Sequence, residues 1–301
     1  MTVEKKERIE GHAAALFSVL IWGTTFVSTK VLLRAFSPVE IMVTRFALGF
    51  LALLLVGRGW VKATERRHEL YFAAAGLFGV TLYFLMENIA LTYASASLVG
   101  VLVAVSPLCT AVFGRLFGGG ERMGKWFVAG FAVAITGIAL VSFSGVSEMH
   151  FSPVGAVLAL AAAAVWGAYS TVVRRIGAFG YKTVPATCRV FGYGLLFLVP
   201  FAVWDGFPAP AAAWGDPVHV ANLLFLGLCA SALCFVTWNR AVERLGAVRT
   251  SVYVYIVPVV TIVFSVLILH ERLTPTMAVG TMLALAGLFL SEKRETKVEK
   301  A

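Results

Sequence analysis

Charge is what the chain has least of. Asp, Glu, Lys and Arg make up 14% of its 301 residues and 59% are hydrophobic, whereas soluble proteins average about 25% charged and about 45–50% apolar. So thin a polar complement cannot cover a soluble globule. The apolar residues run from 12 to 291 without concentrating in one segment, which excludes a soluble domain on a single anchor and points to a polytopic membrane protein. Cysteine is sparse as well. Cys109, Cys188, Cys229 and Cys234 all lie inside apolar runs, which removes a disulfide framework and leaves them as small hydrophobes. Nucleotide binding has no motif to rest on: Gly119 to Lys125 spells G-x-x-x-x-G-K, but Trp126 stands where Ser or Thr would hold magnesium. His270-Glu271 opens like H-E-x-x-H, yet Thr274 occupies the second His position. No metal site, cofactor or catalytic residue is expected.

What is present is a series of apolar runs, each close to the 20 residues that cross about 30 Å of hydrocarbon at 1.5 Å per residue. Ten are expected, over 12–33, 38–57, 69–91, 96–117, 125–143, 153–173, 184–204, 220–239, 250–269 and 276–291. The first is too long for the h-region of a cleaved signal peptide and has no A-x-A-like cleavage site. The formal charge of +9 decides the orientation. Of the 25 Lys and Arg residues, 20 fall in the two termini and the even-numbered loops, and Lys30, Arg34 and Arg272 face the other side with Glu148, Asp205 and Asp216. Basic residues favour the cytoplasmic side, so both termini are expected there and no nucleic-acid partner is implied. Arg45 and Arg189 lie within spans.

Sliding the chain on itself shows a repeat. An offset of 144 lays Trp22-Gly23 on Trp166-Gly167 and Arg45 on Arg189; an offset of 151 lays Asn88 on Asn239, Ala96 on Ala247 and Pro107 on Pro258. At 150, Glu121-Arg122 falls on Glu271-Arg272, Gly130 on Gly280 and Gly137 on Gly287. Each half then holds five spans. Five is odd, so the second half enters the membrane from the opposite side, as in transporters whose midplane site opens alternately to either face. The expected fold is all-α, with ten transmembrane helices in two inverted repeats. A cytoplasmic segment 1–11 precedes the repeats 12–146 and 147–291, and a cytoplasmic tail 292–301 follows them.

The five-plus-five layout, the Trp-Gly of spans 1 and 6, the in-span Arg of spans 2 and 7 and the mid-span Pro followed by Glu-Arg in each half resemble the EamA-type branch of the drug/metabolite transporter superfamily. The first-half turn departs from the pattern: Gly118-Gly119-Gly120-Glu121 is softer than Leu269-His270-Glu271. The texture of small residues also resembles bacterial exporters of amino acids, aromatic ones in particular. The resemblance implies a multi-pass protein of the bacterial inner membrane whose partners are a small-molecule substrate and the lipid bilayer, with a monomer expected and a dimer as the alternative.

Several residues are candidates for the work. Pro107 and Pro258 each lack an N–H and leave the carbonyls of Val103 and Val254 without their helical donors, which makes them hinges or static kinks. Arg45 and Arg189 lie on the order of 10 Å below opposite surfaces, placed to snorkel, to bind helix-end carbonyls or to meet a substrate carboxylate. Glu87 is an intramembrane carboxyl, a proton carrier or a partner for an α-amino group, or else a hydrated vestibule residue. Asn88 and Asn239 are its polar neighbours in the two repeats, with Trp238 in the place of Glu87. Trp22, Tyr83, Trp166, Tyr169, Trp238, Tyr253 and Tyr255 offer ring faces for an amphipathic solute or an ammonium, and core packing is the competing role. Thr25 and Ser28 add hydroxyls, which in helices often bond back to their own backbone. Gly155, Ala159, Ala163 and Gly167 read as a packing seam.

Three classes of function follow. A secondary transporter that exports small zwitterions such as amino acids, or alternatively carries another metabolite or drug on the same fold, accounts for the repeat, the paired prolines and the missing nucleotide motif. An integral-membrane enzyme needs a nucleophile–base pair at one depth, and a channel needs a continuous polar lining; neither has the residues.

Overall fold

Residues 3–57, 63–117, 125–144 and 152–291 are described in the computed structural model. The Glu121-Arg122 turn, Trp60, Glu148 and the tail beyond 291 lie outside them. The described residues are helical and include no strand. In chain order the helices are α1 (Val3–Leu32), α2 (Pro38–Val56), α3 (Arg66–Tyr93), α4 (Ala96–Leu116), α5 (Lys125–Ser144), α6 (Pro153–Ala178), α7 (Thr183–Asp205), α8 (Pro217–Leu245), α9 (Ala247–Leu269) and α10 (Pro275–Ser291). A single turn, Ala211–Gly215, precedes α8. Eight of them, α1 to α4 and α6 to α9, are long and apolar enough to cross a membrane, so the chain is a multi-pass membrane protein.

Several helices run past the expected spans, α6 to Ala178 and α8 to Leu245 among them. α1 already runs from Val3, and its Glu10 receives Arg244 at 2.5 Å and Arg240 at 3.9 Å from the end of α8.

Helix ends are closed by side chains, because hydrocarbon offers no water to unpaired backbone groups. Ser37 and Glu40 form a capping box at the start of α2, and Glu40 also accepts from the backbone of Ala209 at 2.9 Å. Where α3 meets α4, Lys30 donates to the carbonyls of Leu91 and Ala94 while Glu271 accepts from Ala96 N–H at 2.9 Å and Ser97 N–H at 3.2 Å. A cation at a helix C-terminus and an anion at an N-terminus each match the helix dipole.

Four helices depart from α-geometry. Leu77–Leu82 in α3 and Phe225–Leu233 in α8 widen to π-turns; α4 breaks at Ala104–Val105, and α9 tightens to a 3-10 stretch over Val252–Ile256. Glycines allow the backbones to meet at the widenings. A Cβ on Gly76 would lie 2.6 Å from the Gly194 nitrogen of α7, and one on Gly227 would lie 3.1 Å from the Arg45 carbonyl of α2. α5 and α10 pack on each other in the same manner. A Cβ on Gly137 would sit 2.3 Å from the Ala284 nitrogen and 2.5 Å from the Gly280 carbonyl; one on Gly287 would sit 2.3 Å from the Ala134 nitrogen and 2.6 Å from the Gly130 carbonyl. Each contact is the other with 150 added or subtracted.

Backbone on both sides of that seam leaves a new side chain nowhere to rotate. Gly137→Val is expected to destabilise the protein by about 1–3 kcal/mol or more, read as a lower melting temperature in detergent, whereas Gly215→Ala, which meets nothing within 4 Å, should leave it unchanged.

Candidate functional site

The break in α4 and the 3-10 stretch in α9 both border one cavity. Its wall is built from Trp22, Thr25 and Phe26 of α1, Tyr83, Phe84 and Glu87 of α3, Val103 and Ser106 of α4, Trp166 of α6, and Val254 and Val257 of α9. It leaves about 30 Å³ for water-sized solutes, room for two or three waters at about 10–15 Å³ each. The residues at the paired positions Trp22 and Trp166, Val103 and Val254, and Ser106 and Val257 all face it. Pro107 and Pro258 stand beside it, each second in the helical segment that follows a break. The expected release of a carbonyl is met locally at one of them: Val254 accepts instead from Val257 N–H through the 3-10 turn.

Rings dominate the wall and the layer behind it. Trp22 meets Trp166 edge to face at 5.2 Å between centroids and Trp238 at 5.0 Å, and Trp166 lies 4.8 Å from Tyr83 and 4.9 Å from Tyr169. Offset and T-shaped pairs of this kind add roughly 0.5–1.5 kcal/mol each beyond the area they bury. The Trp22 indole N–H is committed to the Ala230 carbonyl at 2.9 Å and the Thr25 hydroxyl to the Trp22 carbonyl at 2.7 Å. Both therefore present apolar faces inward.

Glu87 is 1% exposed, and its Oε2 has no hydrogen-bond partner among the described residues. Arg45 stands behind it, 1% exposed, with its guanidinium 4.3 Å over the Phe84 ring. Its Nε donates to Ser231 Oγ at 3.0 Å, and its two terminal nitrogens have no hydrogen-bond partner among the described residues. Arg45 does not snorkel. The wall residue Phe84 screens it from the cavity, so the cavity meets one carboxylate backed by one enclosed cation.

The EamA-like transporter family matches this chain twice, over residues 9–143 and 153–292. The chain belongs to that family. It is a transporter rather than an enzyme. A protein of Streptantibioticus cattleyicolor named "Probable terminal-alkyne amino-acid exporter" is 30% identical over 93% of each chain. One of Escherichia coli named "Probable amino-acid metabolite efflux pump" is 27% identical over 92% of this chain and 93% of its own. An "Uncharacterized transporter" of Archaeoglobus fulgidus is 27% identical over 94% of this chain and 98% of its own. A solved structure superposes with a TM-score of 0.66 at 22% identity, covering 93% of this chain and 97% of the other, which shows a shared fold.

Of the residues singled out in the sequence of this EamA-like transporter, Trp22, Thr25, Tyr83, Glu87 and Trp166 form the wall, and Tyr169 and Trp238 form the aromatic layer behind it. The others lie elsewhere. Ser28 donates to Asn222 Oδ1 at 2.5 Å, Asn88 to the Pro38 carbonyl at 3.2 Å, and Tyr253 shares a 2.7 Å hydrogen bond with His12. Tyr255 is buried, 6.1 Å from the Phe289 ring. Asn239 accepts from Tyr169 at 3.0 Å and donates to Thr187 at 3.1 Å, at the edge of a second cavity that also takes in Thr183 and Glu243. Arg189 is bound to Glu69 through two hydrogen bonds, and Tyr193 donates to the same carboxylate at 2.6 Å. Glu69 had stood at the edge of an expected span, with nothing in its neighbourhood to mark it as a partner 120 residues from Arg189. Ser106 and Phe84 were also passed over, although each adjoins a residue that was singled out.

Removing one member of a buried charge pair typically costs about 3–5 kcal/mol, while replacing both by uncharged groups costs far less. Arg45→Met should therefore lower thermal stability sharply and Arg45→Met with Glu87→Gln should recover most of the loss. A double variant no more stable than Arg45→Met would show that the two charges are independent.

Proposed function

We propose that this protein is a secondary transporter that exports small amphipathic metabolites from the cytoplasm by alternating access, with apolar and aromatic amino acids as its main cargo. In this reading it has ten spans, arranged as two inverted five-helix repeats over 12–146 and 147–291, with both termini in the cytoplasm and the bilayer being a bacterial inner membrane. The observation that carries the cargo is the charge balance at the cavity. Arg45 and Glu87 together are neutral, and a zwitterion keeps the buried site neutral when it enters. Its ammonium pairs with the Glu87 oxygen that lacks a partner, and its side chain lies against Trp22, Trp166 and Tyr83. The two amino-acid-related names among the relatives support the same class.

The transport cycle follows from size. Room for two or three waters is less than an apolar or aromatic amino acid needs, so the helices around the cavity must part to load it and close again behind it. The two family matches, the offset pairs in the wall and the reciprocal Gly137 and Gly287 contacts support a two-fold arrangement. Such an arrangement lets the same parting occur toward either side. The breaks beside Pro107 and Pro258 are the natural hinges, because backbone already outside α-geometry bends at least cost. A second cargo class has an observation in its favour: no basic side chain faces the cavity among the described residues, which suits apolar amines and argues against nucleotide-sugars.

Counterflow in proteoliposomes tests the proposal, since only a carrier that alternates accumulates label against a preloaded pool. Preloaded apolar amino acids should drive uptake of the labelled one, nucleotide-sugars should not, and Glu87→Gln should cut the rate at least tenfold, about 1.4 kcal/mol of lost interaction. Absence of trans-stimulation by every amino acid, with the protein folded, would overturn the cargo.

A further inference from the structure

We infer that Ser106, at the start of the half-helix Ser106–Leu116, binds the carboxylate of the cargo; this rests on the amino-acid reading above and extends it. Three observations meet at this residue. Its side chain is fully buried and its hydroxyl has no partner among the described residues. It faces the cavity that Glu87 also faces. It is the first residue of an 11-residue helical segment, whose N-terminus carries the positive end of a helix dipole.

The missing partner has a local cause. A hydroxyl within a helix usually bonds back to a carbonyl three or four residues earlier, as Thr110 does to Ser106 and Ser170 to Trp166, both at 2.9 Å. For Ser106 those carbonyls are Val103 and Leu102, on the far side of the break at Ala104–Val105, and its hydroxyl bonds to neither. The hydroxyl is left with its proton to give, at the positive end of a helix, in a cavity whose one carboxylate stands on α3. A hydrogen-bond donor at a dipole's positive end favours an anion, and the α-carboxylate is the anion that a zwitterion brings.

The repeat shows that this donor belongs to one half only. The position related to Ser106 by the offset of 151 is Val257, which faces the same cavity with a side chain that has no donor. The position related to Glu87 is Trp238, an indole in the layer behind the wall. Both polar anchors therefore stand on α3 and α4, and Val254, Val257 and Trp166 face them. The cargo lies with its charged end toward the first half and its apolar side chain toward the second.

Binding by the solubilised full-length protein, measured by isothermal titration calorimetry, separates the two ends of the ligand. The probes are the amino acid of highest affinity in an apolar and aromatic panel and the amine formed by its decarboxylation. Ser106→Ala should weaken the amino acid about tenfold, the loss expected when a hydrogen bond to a charged group is removed, and leave the amine unchanged. Ser106→Thr, which keeps the hydroxyl, should retain the affinity. A Ser106→Ala variant that binds the amino acid as wild type does, or that weakens both ligands equally, would overturn the assignment while the amino-acid reading stands. Wild-type protein that binds the amines and none of the amino acids would overturn that reading, and the carboxylate site with it.

Discussion

The packing around the cavity is arranged to keep one buried charge pair, Arg45 and Glu87, in an apolar bundle. An isolated charge in such surroundings is too costly to persist. Here the guanidinium lies over Phe84 and donates to Ser231, and Glu87 stands one turn beyond Phe84 on α3. Such a pair is not fully satisfied: Glu87 keeps one oxygen and Arg45 two nitrogens without hydrogen-bond partners among the described residues. That shortfall is what a ligand can relieve. A charge pair closed on itself, as Arg189 and Glu69 are, has far less to offer, although it stands at the repeat-related position.

Two departures from regular helix, the break in α4 and the 3-10 stretch in α9, adjoin the cavity wall. π-turns in α3 and α8, the break in α4 and the 3-10 stretch in α9 each leave backbone groups that hydrocarbon alone could not satisfy. They are tolerated because protein surrounds them and because glycines such as Gly76 and Gly227 let neighbouring backbones close on them. Outside the cavity the helix ends are held by charged side chains of the kind that Lys30 and Glu271 supply. A transporter must separate helices without unravelling them. Side-chain caps suit this, since they can be released and remade while the i to i−4 ladder within each helix stays intact.

Much of the fold was legible in the sequence because membranes impose strong patterns. Apolar run length marks the helices, and the offset pairs Trp22 with Trp166 and Pro107 with Pro258 lead directly to residues in or beside the cavity wall. Glu87 was legible because a carboxyl within an apolar run has few structural explanations. The partners were not: Glu69 for Arg189, Ser231 for Arg45 and Asn222 for Ser28 are 120, 186 and 194 residues away, and no local pattern records so distant a contact. Tyr253 and Tyr255 show the same limit from the other side. They are adjacent to wall residues in sequence, but the 3-10 stretch turns Val254 toward the cavity and carries the two tyrosines to other contacts.

Symmetry and asymmetry then divide the labour. The halves resemble one another at the prolines, the closely packed glycines and the paired tryptophans, which recur at fixed offsets, and the proposed two-fold cycle needs matching parts of this kind. They differ where recognition is at stake. Glu87 faces the place of Trp238, Ser106 that of Val257, and an Arg45 without a bound carboxylate that of an Arg189 bound to Glu69. A site made symmetrically would hold two carboxylates or none, and would have no means of telling the charged end of a small zwitterion from its side chain. Under the proposed function, divergence at these few positions orients the cargo in the cavity, and the glycine seams that pack α5 on α10 keep their reciprocal contacts.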